Sequence, residues 1–243
     1  MAVVGLVVAV VVGVASRLLW ASTDDSAAQR RPPATPSATD TPGADLPSTQ
    51  ASLPPRRTAT PQPTDSAPCP VGRVEAALPT AAPRDLTWVH GLREPMPVSP
   101  TYGPRSRGLG GLPECFSHSP TGGVIAAWSI NASLFSTDWQ HVLDTQVAHT
   151  AGYARLVTQL QTDPPDGSPG TTSPAGFEIL AADQDAVTVE LVLRDNANSA
   201  LVGCPITVAW DGDDWQLAPR PDGTVTTPTC PAVAPGSYVS WGL

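Results

Sequence analysis

Lysine is absent from the 243 residues; all 13 basic residues are arginine. The arginines never form more than a pair, at Arg30-Arg31 and at Arg56-Arg57. Binding a phosphate backbone needs concentrated positive charge. With a net charge of −9 and no basic cluster, the chain is read as having no nucleic-acid partner. The four cysteines, Cys69, Cys115, Cys204 and Cys230, contain no C-x-x-C pair, so zinc-ribbon and thioredoxin-like sites are disfavoured. A G-x-S-x-G nucleophile elbow is missing too. No cofactor and no metal is called for, and the expected class is non-enzymatic. No cysteine follows the apolar N-terminus, which excludes a lipoprotein. The lysine gap, with heavy use of Ala, Gly, Pro and Val, points to coding bias in a GC-rich genome.

What is present divides the chain into three parts. Met1 to Ala15 contains only Met, Ala, Val, Gly and Leu, and Leu18, Leu19 and Trp20 extend the run past Arg17. A membrane-spanning helix needs about 20 residues. Residues 1–21 just reach that length if Arg17 snorkels to the interface, with Trp20 as an interfacial aromatic. The alternative is a signal peptide cleaved near Ala21-Ser22-Thr23. Either way the rest of the chain is expected outside the membrane, with the N-terminus cytoplasmic if the segment stays as a single-pass anchor. Residues 22–68 are Pro, Thr, Ser, Ala and Asp with almost no large apolar side chain. Such a segment cannot bury enough surface to offset its ordering entropy. Proline stiffens it into a semi-rigid spacer whose reach is on the order of 100 Å. A long tether favours retention of the anchor over its cleavage.

Residues 69–243 are expected to form one extracytoplasmic α+β domain. Four cysteines in an exported domain indicate two disulfides rather than free thiols. Three pairings exist, and Cys69–Cys115 with Cys204–Cys230 is favoured. The first would tie the leading segment to the loop before the first helix, and the second would join two C-terminal segments. Residues 69–113 read as an extended arm, with one short strand near Leu86–His90. Residues 119–161 carry three helices. Ser119 is the N-cap of the first, with Pro120 at its first position. Thr137 and Gln140 match a capping box for the second. The third runs from about Ala151 to Gln161. Over 176–219 the apolar period changes to two, which gives four antiparallel strands with a hairpin at Asp211-Gly212-Asp213-Asp214. Residues 220–243 read as a tail whose Trp241 packs back on the sheet. Helices followed by a meander suit three helices on a curved sheet, the cone of the nuclear transport factor 2 and cystatin-like group.

Cys115-Phe116-Ser117-His118-Ser119-Pro120-Thr121-Gly122-Gly123-Val124-Ile125-Ala126-Ala127, Trp139-Gln140-His141-Val142 and Tyr238-Val239-Ser240-Trp241-Gly242 resemble an uncharacterised actinobacterial family. Its members are single-pass extracytoplasmic proteins, often encoded in conjugative or integrative elements. The resemblance covers roughly Cys69 to Leu243, in patches. Ser119 stands in place of the family's threonine cap and Gly123 in place of its usual alanine. The resemblance implies the cone-shaped domain and no known activity.

Several side chains bear on chemistry. Asp138, His141 and Asp144 share a helix, and a solvated face explains them best. His118 beside Cys115 could make a nucleophile pair only with a free thiolate, so a hydrogen bond to nearby backbone is expected instead. Asp211, Asp213 and Asp214 begin like a calcium loop but lack its later ligands. Asn131-Ala132-Ser133 is a glycosylation sequon inside a helix. Trp88, Trp128, Trp139 and Trp215 fill the core, or Trp128, Trp139 and Tyr153 line a cavity. The expected function is a membrane-tethered scaffold or assembly module that contacts other envelope proteins. The alternative is a domain binding a small molecule or peptide in the cone. No oligomeric state follows from the residues.

Overall fold

The computed structural model describes Cys69 and residues 76–242. The apolar segment 1–21 and the spacer 22–68 lie outside the described residues. Among the described residues no helix is long and apolar enough to cross a membrane.

The arm forms two small hairpins. β1 (Thr87–Val89) pairs with β2 (Met96–Val98), and β3 (Ser106–Arg107) pairs with β4 (Pro113–Glu114). The single strand expected near Leu86–His90 is thus half of a hairpin. Next comes α1 (Pro120–Leu134). Ser119 Oγ accepts the Gly122 amide at 3.1 Å, as an N-cap should. Fourteen of the 15 residues of α1 are buried, which leaves it no solvent face and makes it the central helix rather than a surface one. It packs on the sheet, on α2, and on β2 and β4 of the arm. Two bonds pin the arm to the helices. Trp128 Nε1 donates to the Pro95 carbonyl at 2.8 Å, and Gln146 Nε2 donates to the Pro113 carbonyl.

The second helix corrects the expected capping box. α2 spans Trp139–Gln146, and its N-cap is Asp138, not Thr137. Thr137 sits exposed in the turn between the helices, and Gln140 is exposed within α2. No side chain caps the first turn of α2; buried Ser136 holds the turn before it, its Oγ accepting the Asp138 amide at 3.1 Å. α3 (Tyr153–Thr162) buries Leu156 and Leu160. Arg155 and Gln159 on it donate to the carbonyls of Pro221 and Asp222, and so fix the loop after the sheet.

β5 (Thr172–Ala182), β6 (Ala186–Asp195), β7 (Leu201–Trp210) and β8 (Trp215–Leu217) form a meander that β9 (Val239–Ser240) extends, in the order β8-β7-β6-β5-β9. Every pairing is antiparallel. Helices before an antiparallel sheet make this an α+β domain. Val187, Val189, Leu191, Ile206, Val208 and Phe177 face the helices and join the core. Gly123 lets α1 sit close to that face: a Cβ there would lie 2.9 Å from Val187 Cγ2.

The tail does more than pack back. Ala232 bridges to Val202 beside β7, and the Cys204–Cys230 disulfide joins the same two segments. Seven residues later, Val239 pairs with Phe177 at the opposite edge of the sheet. The chain between must cross β6, and Val192 on the face away from the helices is fully buried there. Tyr238 lies against Gly176 on that face. Trp241 then inserts into the core beside Phe177 and Trp88, with ring centroids 4.8 and 5.7 Å away. Both sheet edges are thereby blunted. Ala148 donates to the Leu217 carbonyl and covers β8. The unpaired end of β5 carries a bulge between Ile179 and Ala181, a device that discourages further pairing.

Candidate functional site

The densest chemistry in the domain sits at the head of α1, where four segments meet. The Cys69–Cys115 disulfide brings the start of the arm there, with Cα atoms 5.1 Å apart. Cys115 itself has φ +64°, in the left-handed region that non-glycine residues seldom adopt. What holds it is Asp214, 99 residues later. The carboxylate accepts the Cys115 amide at 2.7 Å and the Phe116 amide at 3.0 Å, and also takes the Trp215 amide at 2.9 Å. Asp211 makes the turn that presents it, accepting the amides of Asp213 and Asp214 at 2.8 Å. The Asp cluster is therefore a hairpin turn with a clamp, not a calcium loop. Among the described residues no group of three His, Cys, Asp or Glu side chains is placed to hold a metal ion.

The other half of the head is aromatic. His118 stacks on Trp210 with centroids 4.2 Å apart and planes 9° from parallel, and both rings meet Trp215 edge-on. His118 Nε2 lies 2.7 Å from the Gln184 carbonyl and 3.2 Å from Asp185 Oδ1. Its partners belong to the distant β5–β6 turn, not to the nearby backbone expected from its position. Trp215 Nε1 donates to the Ser117 carbonyl at 2.8 Å. The hydroxyls of Ser117 and Ser119 are buried and bond to each other at 2.7 Å. With Cys115 oxidised and both serines sealed, the arrangement has no exposed nucleophile beside a base. Its chemistry is that of a clamp joining two hairpin tips to the helix head and to the arm.

Asp214 is the strained member. Burial pushes its carboxyl up from the ordinary 3.8 to about 6, against the three amides that favour the ionised form, and Asp211 adds to the rise. A folded-state value above the unfolded one means that the native state binds its proton more tightly. The associated stability is fully present below about pH 4 and is lost as pH rises through 6. About two pK units correspond to roughly 3 kcal/mol. Urea midpoints for the wild type should therefore fall between pH 4.5 and 7.5 relative to those of Asp214→Asn, in which this component is absent. Parallel pH profiles for the two proteins would sink the assignment.

Among the described residues, two of the three side chains expected to line a cavity are packed in the core. Trp128 and Trp139 are buried in the core cluster with Trp215, Phe177, Leu134 and Leu143. Tyr153 is half-buried and rests on His149, 4.1 Å between centroids. Two depressions on the described surface, one beside Tyr102 and one beside Pro104, touch none of the three. Large aromatic side chains fill the interior that a smaller set would have left open. Asp138 sits at the N-cap of α2, His141 and Asp144 lie on it, and Asn131 of the sequon is half-buried in α1. Asp185 and Trp210 had no site role in the sequence reading, and Asp214 was read only as part of a hairpin turn. The one available signal was that the Asp211-to-Asp214 turn holds more aspartates than a hairpin needs.

On the opposite sheet face Glu178 stands directly across from Glu190. Burial, and next the charge of Glu178, raise the Glu190 carboxyl. Like charges so placed destabilise a sheet. Glu178→Arg should raise the urea midpoint, by a gain of about 0.5–1 kcal/mol on the cross-strand scale; an unchanged or lower midpoint would contradict this.

Comparison with curated proteins and with solved structures found no match. A domain of unknown function, DUF8175, matches residues 49–237, which covers the end of the spacer and nearly all of the domain. The chain belongs to the family defined by that domain.

Proposed function

We propose that this chain is a non-enzymatic scaffold or assembly module, held outside the membrane by residues 1–21 and displayed on the Pro-rich spacer. The observation that carries this reading is the filled interior of the domain. With Trp128, Trp139, Trp215 and Phe177 packed into the core, recognition falls to the outer surface, where Leu92 and Leu109 of the arm stand exposed. Two disulfides suit an oxidising compartment. The three helices on an antiparallel sheet suit a filled version of the cone seen in the nuclear transport factor 2 and cystatin-like group. The resemblance to extracytoplasmic proteins of conjugative elements favours an accessory role in an envelope or conjugation apparatus.

Protease added to intact host cells should digest the domain and leave the N-terminal fragment in the membrane. A fully protected domain would overturn the topology. Photo-crosslinkers placed at Leu92 and Leu109 in the native host should yield one discrete adduct with another envelope protein. Loss of every adduct at both positions would count against an assembly role.

A further inference from the structure

We infer that the tip of the β3–β4 hairpin is a docking knob: Leu109 enters an apolar pocket on a partner protein, and Asp138 and Glu114 pair with Arg or Lys on the rim of that pocket. The inference rests on the assembly reading above and names the chemistry of the partner.

The tip is costly for the fold and returns nothing to it. Two short strands could be joined by a two-residue turn. Here five residues, Gly108 to Leu112, join them. Leu112 is fully buried and anchors the base, whereas Leu109 stands 79% exposed at the top. Gly110 and Gly111 have φ of +71° and +82°, a region that glycine enters without strain. Ordering glycine costs more entropy than ordering any other residue, and an exposed leucine recovers none of it by burial. Leu92, 38% exposed between β1 and β2, adjoins the knob: a Cβ on Gly111 would lie 3.8 Å from its Cδ2. A lone exposed leucine is ordinary, but two that share one corner form a patch.

Charge identifies the partner. A Cβ on Gly110 would lie 2.5 Å from Asp138 Oδ2, and one on Gly108 would meet Glu114 Oε1. Leu109 therefore stands between two carboxylates. Among the described residues neither carboxylate holds a hydrogen bond or an ion pair. The arginines nearby are engaged. Arg93 pairs with Glu94 at 3.7 Å and donates to the Ser168 carbonyl, and Arg107 donates to the Gly111 carbonyl at 3.4 Å. The described domain from residue 76 onward holds 16 Asp/Glu against seven Arg, so its wider field also draws a basic surface. A second copy carries the same excess of negative charge and is a poor fit.

The test is an apolar photo-crosslinker in place of Leu109 in the full-length chain in its native host, alone and combined with Asp138→Asn or Glu114→Gln. Asparagine is as good an N-cap as aspartate, so the first variant keeps the start of α2. Each change should lower the yield of the partner adduct about threefold, the scale of one exposed charge pair, and the two together about tenfold. Glu178→Gln, which removes the same charge from the sheet face away from the helices, should leave the yield unchanged. A yield that neither Asp138→Asn nor Glu114→Gln lowers would overturn the inference, as would an adduct to lipid or to a second copy of this chain. In the first case the assembly reading would stand. No adduct at Leu109 would overturn the knob, and no adduct at Leu92 either would remove the assembly reading with it.

Discussion

Trp215→Ala is expected to lower stability by about 4 kcal/mol, within the range for deleting a buried tryptophan. The ring is 1% exposed and lies in the core against the helix head. Three losses add up at one site. The cavity left by the ring borders Gly123, where an added Cβ would lie 3.5 Å from Trp215 Cε2, so α1 would lose its close packing on the sheet. The Ser117 carbonyl would lose its indole donor, which alone costs about 1–3 kcal/mol when no water replaces it. His118 and Trp210 would lose their edge contacts. For a domain of this size the melting temperature should fall by about 8–16 °C, at 2–4 °C per kcal/mol. Trp215→Phe keeps much of the volume and removes the donor, so it should fall between wild type and alanine. Equal stability of the Phe and Ala variants would mean that the bond to Ser117, and not packing, accounts for the whole effect.

Removing the Cys69–Cys115 disulfide by a double change to alanine should cost about 4 kcal/mol. The bond closes a 46-residue loop, and loop-closure entropy grows with the logarithm of loop length. The same relation gives about 3.5 kcal/mol for Cys204–Cys230, whose loop is 26 residues. The two losses should differ in place more than in size. Without Cys69–Cys115, the arm keeps its bonds from Trp128 and Gln146 but loses its tie to the helix head. Limited proteolysis should then cut first between Cys69 and Leu86, while the sheet stays protected. Without Cys204–Cys230, cleavage should start in the tail that crosses β6. A loss under 1 kcal/mol with unchanged cleavage sites for the first variant would show that Asp214 alone fixes the Cys115 loop.

Much of the fold was legible because the signals were local. Ser119-Pro120 marks the start of α1, and the bonds of an N-cap lie within one turn. The change of period near residue 176 announces the sheet, and Asp211-Gly212 announces its last hairpin. The capping box at Thr137 failed within the same turn: the helix begins at Trp139, with Asp138 at its N-cap, and the Asp138 amide is held by Ser136 Oγ. The cavity failed for a different reason. Helical spacing puts Trp128 and Trp139 on inward faces, but whether inward space is filled depends on how three helices and a sheet close together.

By itself, the sequence determined the order of elements, the α+β class, the polar Pro-rich character of residues 22–68, and the supply of four cysteines. Each rests on composition or on a period of two or 3.6 residues, which neighbours in the chain settle between them. Tertiary structure alone decided the clamp at the helix head. Nothing near Asp214 reveals that its carboxylate meets the amides of Cys115 and Phe116, or that burial there lifts it to about 6. It alone decided the path of the tail across β6, since a two-residue strand has no period to read and pairs wherever an edge is left open. And it decided that the interior is packed, because side chains that never adjoin in sequence compete for that space only once the chain has folded.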